Sequence, residues 1–253
     1  MDGLIAPLLF LAGIAGGIIN ALAGGATLIT FPAMLAAGLP PVVANASNAI
    51  AIAPGHLLAA IADREKLPTF DRRMLVLHAL CVVGGVIGAL VLLALPDRLF
   101  VLPVPGLIGL ATLLFAFAPR IGQWTVTHRG KGQASRTEGM AALFATSIYG
   151  GFFGAGLGIL LTAVLSLQEP GDIRKVKVMK NLLGSCVSLA AIVIFIAKGM
   201  VQWPETLTML SGALIGGYAG GHLVRVLPAQ VVRLFVILSG AVMTCVYAGR
   251  YWF

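Results

Sequence analysis

The chain has 253 residues, 59% of them hydrophobic and only 10% charged, with a formal net charge of +8. Soluble domains carry roughly 25% charged residues, so this composition and a mean hydropathy of +1.00 exclude a water-soluble fold and point to an integral membrane protein. The basic residues cluster in short loops, as they do on the cytoplasmic side of membrane proteins, and no nucleic-acid partner is implied.

The first apolar segment, residues 4–38, is too long for one span of about 20 residues. At its centre lies Gly16-Gly17-Ile18-Ile19-Asn20-Ala21-Leu22-Ala23-Gly24-Gly25-Ala26-Thr27, with Pro7 before it and Pro32 after. Glycine admits backbone angles that a helix does not use. In lipid such backbone survives only where protein buries it or where it lines a wet cavity. The segment therefore reads as a helix pair, a broken helix or a re-entrant hairpin. Met1-Asp2-Gly3 lacks a basic leader, so the segment is expected to be mature rather than a removed signal.

After the turn at Gly38-Leu39-Pro40-Pro41, an apolar span is expected over residues 42–62, opening with Asn45, Ser47 and Asn48. A charged loop follows, from Asp63 to Arg73, and then spans over 74–95 and 99–118. Residues 119–138 form the one long polar stretch and are expected to be a basic cytoplasmic linker between a first membrane repeat, 1–118, and a second, 139–253. The second repeat begins with an apolar run over 139–167 around Tyr149-Gly150-Gly151-Phe152-Phe153-Gly154-Ala155-Gly156-Leu157-Gly158. A basic loop from Asp172 to Lys180 comes next, then spans over 181–197, 206–226 and 231–251.

The two halves match in order. Gly16-Gly17 aligns with Gly150-Gly151, Gly24 with Gly158, Asn48 with Asn181, Gly84-Gly85 with Gly216-Gly217, and Leu95-Pro96 with Leu227-Pro228. The loop charges do not match. In the first half the loop after the Gly-rich segment is neutral and the next is basic; in the second half this reverses. Under the positive-inside rule the halves point in opposite directions, which is an inverted-topology repeat. The expected fold is thus an all-α polytopic membrane protein with two inverted repeats. Each repeat holds one Gly-rich broken or re-entrant segment and about three transmembrane helices. A plain four-plus-four arrangement is the alternative.

Two Gly-interrupted segments at corresponding places point to a transporter's central site. Half-helix N-termini present free N–H groups and positive dipole ends to an anion. The expected substrate-binding residues are Asn20, Gly24, Gly25, Thr27, Asn45, Ser47, Asn48, Gly156, Gly158, Asn181 and Ser185, all neutral. Gly84, Gly85, Gly88, Gly216, Gly217, Gly220 and Gly221 are read instead as helix-packing positions. Asn45, Ser47 and Asn48 could equally serve as local caps or interhelical glue. His56, two turns past Asn48, is the candidate for proton coupling, and His78 and His222 rank below it. Every carboxylate falls in an end or a loop, which argues against a carboxylate proton relay. Cys81, Cys186 and Cys245 stand singly, without metal-ligand spacing. There is no GxSxG elbow, Walker A sequence or HExxH, so no enzyme activity, cofactor or metal is expected.

The run from Gly17 to Leu35, with Ala44-Asn45-Ala46-Ser47-Asn48, Gly150–Gly158 and Asn181, resembles the TauE/SafE family of anion permeases, also called the sulfite exporter family. The resemblance covers nearly the whole chain. It implies a multi-pass carrier in the cell inner membrane for sulfite, sulfoacetate or other organosulfonates, in which proton coupling is often assumed and a homodimer is allowed. Departures from the pattern are local. Asn20 stands where one subgroup has Asp, Ala26-Thr27 interrupts a glycine run, Ser47-Asn48 replaces Thr-Asn, and Ala49 stands where Lys often follows. A passive anion channel and a non-transporting membrane scaffold are the competing readings.

Overall fold

The computed structural model describes residues 3–22, 25–62, 71–127, 136–168, 173–223 and 229–253, and all regular structure among them is helical. In chain order the helices are α1 (Ile5–Leu22), α2 (Thr27–Ala36), α3 (Pro41–Ala62), α4 (Arg72–Ala94), α5 (Asp97–Val101), α6 (Val104–Thr127), α7 (Arg136–Phe152), α8 (Leu157–Gln168), α9 (Ile173–Ala197), α10 (Trp203–Leu223) and α11 (Ala229–Tyr251). Among the described residues four stretches are long and apolar enough to cross a membrane: Arg72–Ala94, Val104–Gln123, Lys175–Ala197 and Gln230–Tyr251. With α3 and α10 at 22 and 21 residues, the chain forms a multi-pass membrane protein. The four spanning helices and their neighbours leave large aliphatic side chains exposed, such as Val82, Leu113, Val193, Leu238 and Val242, as lipid contact allows.

Among the described residues α1 ends at Leu22 and α2 begins at Thr27, and α7 ends at Phe152 and α8 begins at Leu157. α2 has 10 residues and α8 has 12. At 1.5 Å per residue these reach roughly 15–18 Å, about half of a hydrocarbon core near 30 Å thick. In the second break the chain leaves α7 through Phe153–Gly156, and Gly154 and Gly156 take positive φ of +76° and +79°. A side chain at either position would force a left-handed backbone that L residues avoid. The break is tied down by Tyr149, whose hydroxyl donates to the Ala155 carbonyl at 2.6 Å.

Three elements differ from the sequence reading. The third span of the first half begins at Val104, not at 99, because Pro96 and Asp97 start the short α5 and Pro103 precedes the next helix. That helix then runs through Pro119 to Thr127, and α7 begins at Arg136, so the ends of the expected linker are helical. The basic residues Lys175, Lys177 and Lys180 sit in the first turns of α9 rather than in a loop. Propensity explains this: Lys is a good helix former and no breaker separates it from the apolar run.

Packing between the halves comes in matched sets. α1 lies along α10, and α4 lies along α7; α3 packs on α9, and α6 on α11. Small residues bring the backbones of the first two pairs together. A Cβ added at Gly13 or Gly17 would fall on the carbonyls of Met209 or Ala213, and one at Gly212 or Gly216 on those of Phe10 or Ile14. Across α4 and α7, Gly88 abuts the Ile148 carbonyl and Gly151 the Gly85 carbonyl. The packing role expected for Gly84, Gly85, Gly88, Gly216 and Gly220 matches these contacts. Gly217 differs, because its own Cβ position faces open space. Asp71 caps α4 by accepting from Met74 N–H at 2.8 Å, and Asp97 accepts from Val42 N–H at 3.5 Å at the start of α3.

Candidate functional site

The two interrupted segments meet. A recess of about 360 Å³ is lined on one side by Asn20, Gly25, Ala26, Thr27 and Leu28, and on the other by Gly154–Gly158, with Ile52, Ala111 and Phe115 closing it. The first turns of α2 and α8 thus share one wall. The first-turn N–H groups of Leu28 and Ile29 bond the Gly25 and Ala26 carbonyls, and those of Leu157 and Ile159 the Gly154 and Gly156 carbonyls, while each helix places the positive end of its dipole at this wall. The N-cap of α2, Ala26, supplies no side-chain cap. Near each helix start a threonine bonds one turn back: the Thr30 hydroxyl donates to the Ala26 carbonyl at 3.0 Å, and the Thr162 hydroxyl to the Gly158 carbonyl at 2.6 Å.

A second recess, of about 470 Å³, adjoins the first and shares Thr27, Ile52, Gly154 and Leu157 with it. Its other polar lining comes from Asn45 and Asn48 on α3, Gly150 and Gly151 in the last turn of α7, and Ser188 on α9. Asn45 and Asn48 are 2% and 1% exposed. The Asn45 amide donates through Nδ2 to the Phe152 carbonyl at 3.0 Å, which fixes its orientation. The Oδ1 atoms of Asn45 and Asn48 are buried and have no hydrogen-bond partner. Phe153 closes this end and stands edge-on to Phe31, ring centroids 5.3 Å apart.

Asn20, Gly25, Thr27, Gly156 and Gly158 therefore line the first recess, and Thr27, Asn45 and Asn48 line the second. Asn20 fits against α3 because Gly55 leaves room; a Cβ there would strike its amide nitrogen. Ser47, Asn181 and Ser185 are elsewhere. The Ser47 hydroxyl accepts from Gln202 N–H at 3.0 Å, holding the turn before α10, and the Ser185 hydroxyl donates to the Asn181 carbonyl at 2.8 Å. Gly24 and the His56 side chain lie outside the described residues. His78 and His222 each hydrogen-bond a carbonyl one turn back, Met74 at 2.6 Å and Tyr218 at 3.1 Å.

One lining residue and one neighbour of the lining go beyond the residues expected from the sequence. Ser188 lies two turns after Asn181 on α9, and that helical spacing is the signal that could have found it. Lys180 was read as loop charge, yet its stem passes Gly158, with Cδ 3.9 Å from where a Cβ would stand.

The profile of the family described as "Sulfite exporter TauE/SafE" matches residues 9–247. The chain is 25% identical over 237 residues to a "Probable membrane transporter protein" of Haemophilus influenzae, covering 94% of this chain and 92% of that one. It is 26% identical over 243 residues to the "Probable membrane transporter protein YfcA" of Escherichia coli K12, covering 95% and 88%. To the "Probable membrane transporter protein ORF9" of Sinorhizobium sp. it is 27% identical over 232 residues, covering 91% and 88%. No solved structure matches the chain with significance.

Proposed function

The chain belongs to the sulfite exporter TauE/SafE family, and from that premise we propose that it is a secondary carrier of small sulfur-containing or organic anions, of the sulfite, sulfoacetate or organosulfonate class. The anion binds where the first turns of α2 and α8 face each other, and alternating access moves it across. The observation that carries this reading is that Asn20, Gly25 and Thr27 of one half line the same recess as Gly156 and Gly158 of the other.

The chemistry is that of two half-helices closing on one charge. Two positive helix-dipole ends directed at one recess favour an oxyanion. The Asn20 amide and Thr27 hydroxyl add neutral donors, and Lys180 brings a positive charge to the α8 side. The matched pairings, α1 with α10 and α4 with α7, support an inverted repeat, because a two-fold relation between halves generates such pairs. The protein is placed in the cell inner membrane, with a homodimer as the assembly to test.

Purified protein screened by thermal shift against sulfite, sulfate, thiosulfate, sulfoacetate, taurine and simple carboxylates tests the reading, since a ligand of the native state raises its stability by RT ln(1 + [L]/Kd). One sulfur oxyanion should stand above the rest. Counterflow of that anion in proteoliposomes separates a carrier from a channel, which shows none, and from a scaffold, which binds none. A flat screen would remove the proposal.

A further inference from the structure

We propose that the second recess is a binding site for a monovalent cation of sodium's size, held entirely by neutral oxygens. Its place as the coupling ion rests on the carrier reading above; its existence does not.

The two Oδ1 atoms carry the inference. Asn45 and Asn48 stand one turn apart on α3, so their side chains emerge from one face. Both line the recess, both are more than nine-tenths buried, and neither oxygen has a hydrogen-bond partner. A buried acceptor left unpaired is costly, and native structures resolve it with a partner, a water or an ion. The Asn45 amide cannot escape by turning over, because its Nδ2 is committed to the Phe152 carbonyl, and the reversed amide would set two acceptors against each other.

The rest of the lining has the same polarity. Gly150 and Gly151 belong to the last turn of α7, where carbonyls run out of intrahelical donors and the dipole is negative. Thr27 and Ser188 bring hydroxyl groups. Among the described residues the lining contains no Asp, Glu, His, Lys or Arg. An anion there would meet acceptors. A small hard cation meets oxygen ligands in number, at the C-terminal end of an interrupted helix. The neighbouring recess faces helix N-termini, so the two sites have opposite polarity and touch at Thr27 and Gly154. Cation and anion bound side by side would each lower the other's cost of leaving water.

The test uses the full-length protein in detergent with no candidate anion present, and sodium chloride alone as the probe. Melting is followed as sodium replaces choline or potassium at constant chloride and ionic strength. A saturable rise in melting temperature with sodium, absent with choline and smaller with potassium, is expected. Asn48→Ala should move the half-saturating sodium concentration up by roughly tenfold, the effect of one lost ligand. Ser188→Ala, a milder change, should move it in the same direction. Equal melting in all three salts, or a sodium response unchanged in both variants, would overturn the site. Because no candidate anion is present and chloride is held constant, a flat anion screen beside a positive sodium response would leave this site standing and count against the carrier reading alone.

Discussion

The side-chain amide of Asn45 donates to the main-chain carbonyl of Phe152 at 3.0 Å, across 107 positions of sequence. The bond joins the first half to the point where the second half's helix breaks. It satisfies a carbonyl that the end of α7 leaves without an intrahelical donor, and it leaves Asn45 Oδ1 buried without a hydrogen-bond partner.

Removing that donor should therefore cost more than a surface change. Asn45→Ala leaves the Phe152 carbonyl unsatisfied, a loss of about 1–3 kcal/mol. Asn45→Asp should be at least as damaging when ionised, because a carboxylate cannot donate to a carbonyl. Melting temperatures of the two variants in the same detergent check the order; wild-type melting in both would show that the bond is not made.

The helix contacts separate one glycine from its neighbours. Gly88→Ala and Gly216→Ala would each drive a methyl group into a facing carbonyl, and overpacking of this kind costs about 1–3 kcal/mol. Gly217→Ala meets nothing within 4 Å and should stay within about 0.5 kcal/mol of wild type. Urea or thermal unfolding of the three variants reads this directly. A destabilised Gly217→Ala beside a tolerated Gly216→Ala would mean α10 is rotated.

At the second break the demand is on the backbone. Gly154→Ala and Gly156→Ala place a methyl-bearing residue at positive φ, at a cost of about 1–2 kcal/mol each. Gly158→Ala has space and no such constraint. Anion-induced stabilisation should fall in the first two variants and survive in the third. Loss only in Gly158→Ala would shift the site away from the break.

Lys180 gives a charge test. If its ammonium assists an anion on the α8 side, Lys180→Gln should weaken binding by about 1.5–3 kcal/mol, the range for a hydrogen bond to a charged group, or roughly tenfold to a hundredfold in Kd. Lys180→Arg should retain most of the affinity. Isothermal titration with the best anion of the screen decides it, and an unchanged Kd in Lys180→Gln would reduce Lys180 to an ordinary flank of α9.

Much of the scaffold was readable in the residues, because interruption and apolar length are local properties. In the second glycine-rich stretch Gly154 and Gly156 take the backbone angles that only glycine adopts freely. What remained hidden was long-range. Gly13, Gly17, Gly212 and Gly216 announce close packing, but spacing does not say which helix receives which. Asn45 and Ser47 stand two apart in one short polar run, yet one bonds the break and the other holds the turn before α10. Their partners lie beyond the reach of any local pattern. The extension of α6 past Pro119 was missed for a different reason: a proline removes one hydrogen bond, and neighbouring turns and helices can carry the helix across it.

The pairing of α1 with α10 also bears on how the protein is made. α1 is synthesised well before α10, and the ridge of carbonyls and glycines that it needs arrives only with that helix. Through most of translation its small-residue face has no mate, so contacts of high sequence separation must close last. Chains cut before Trp203 should insert into the membrane but remain sensitive to protease around Gly13 and Gly17. Supplying α10 and α11 as a separate fragment should restore protection if the pairing is the final step of assembly.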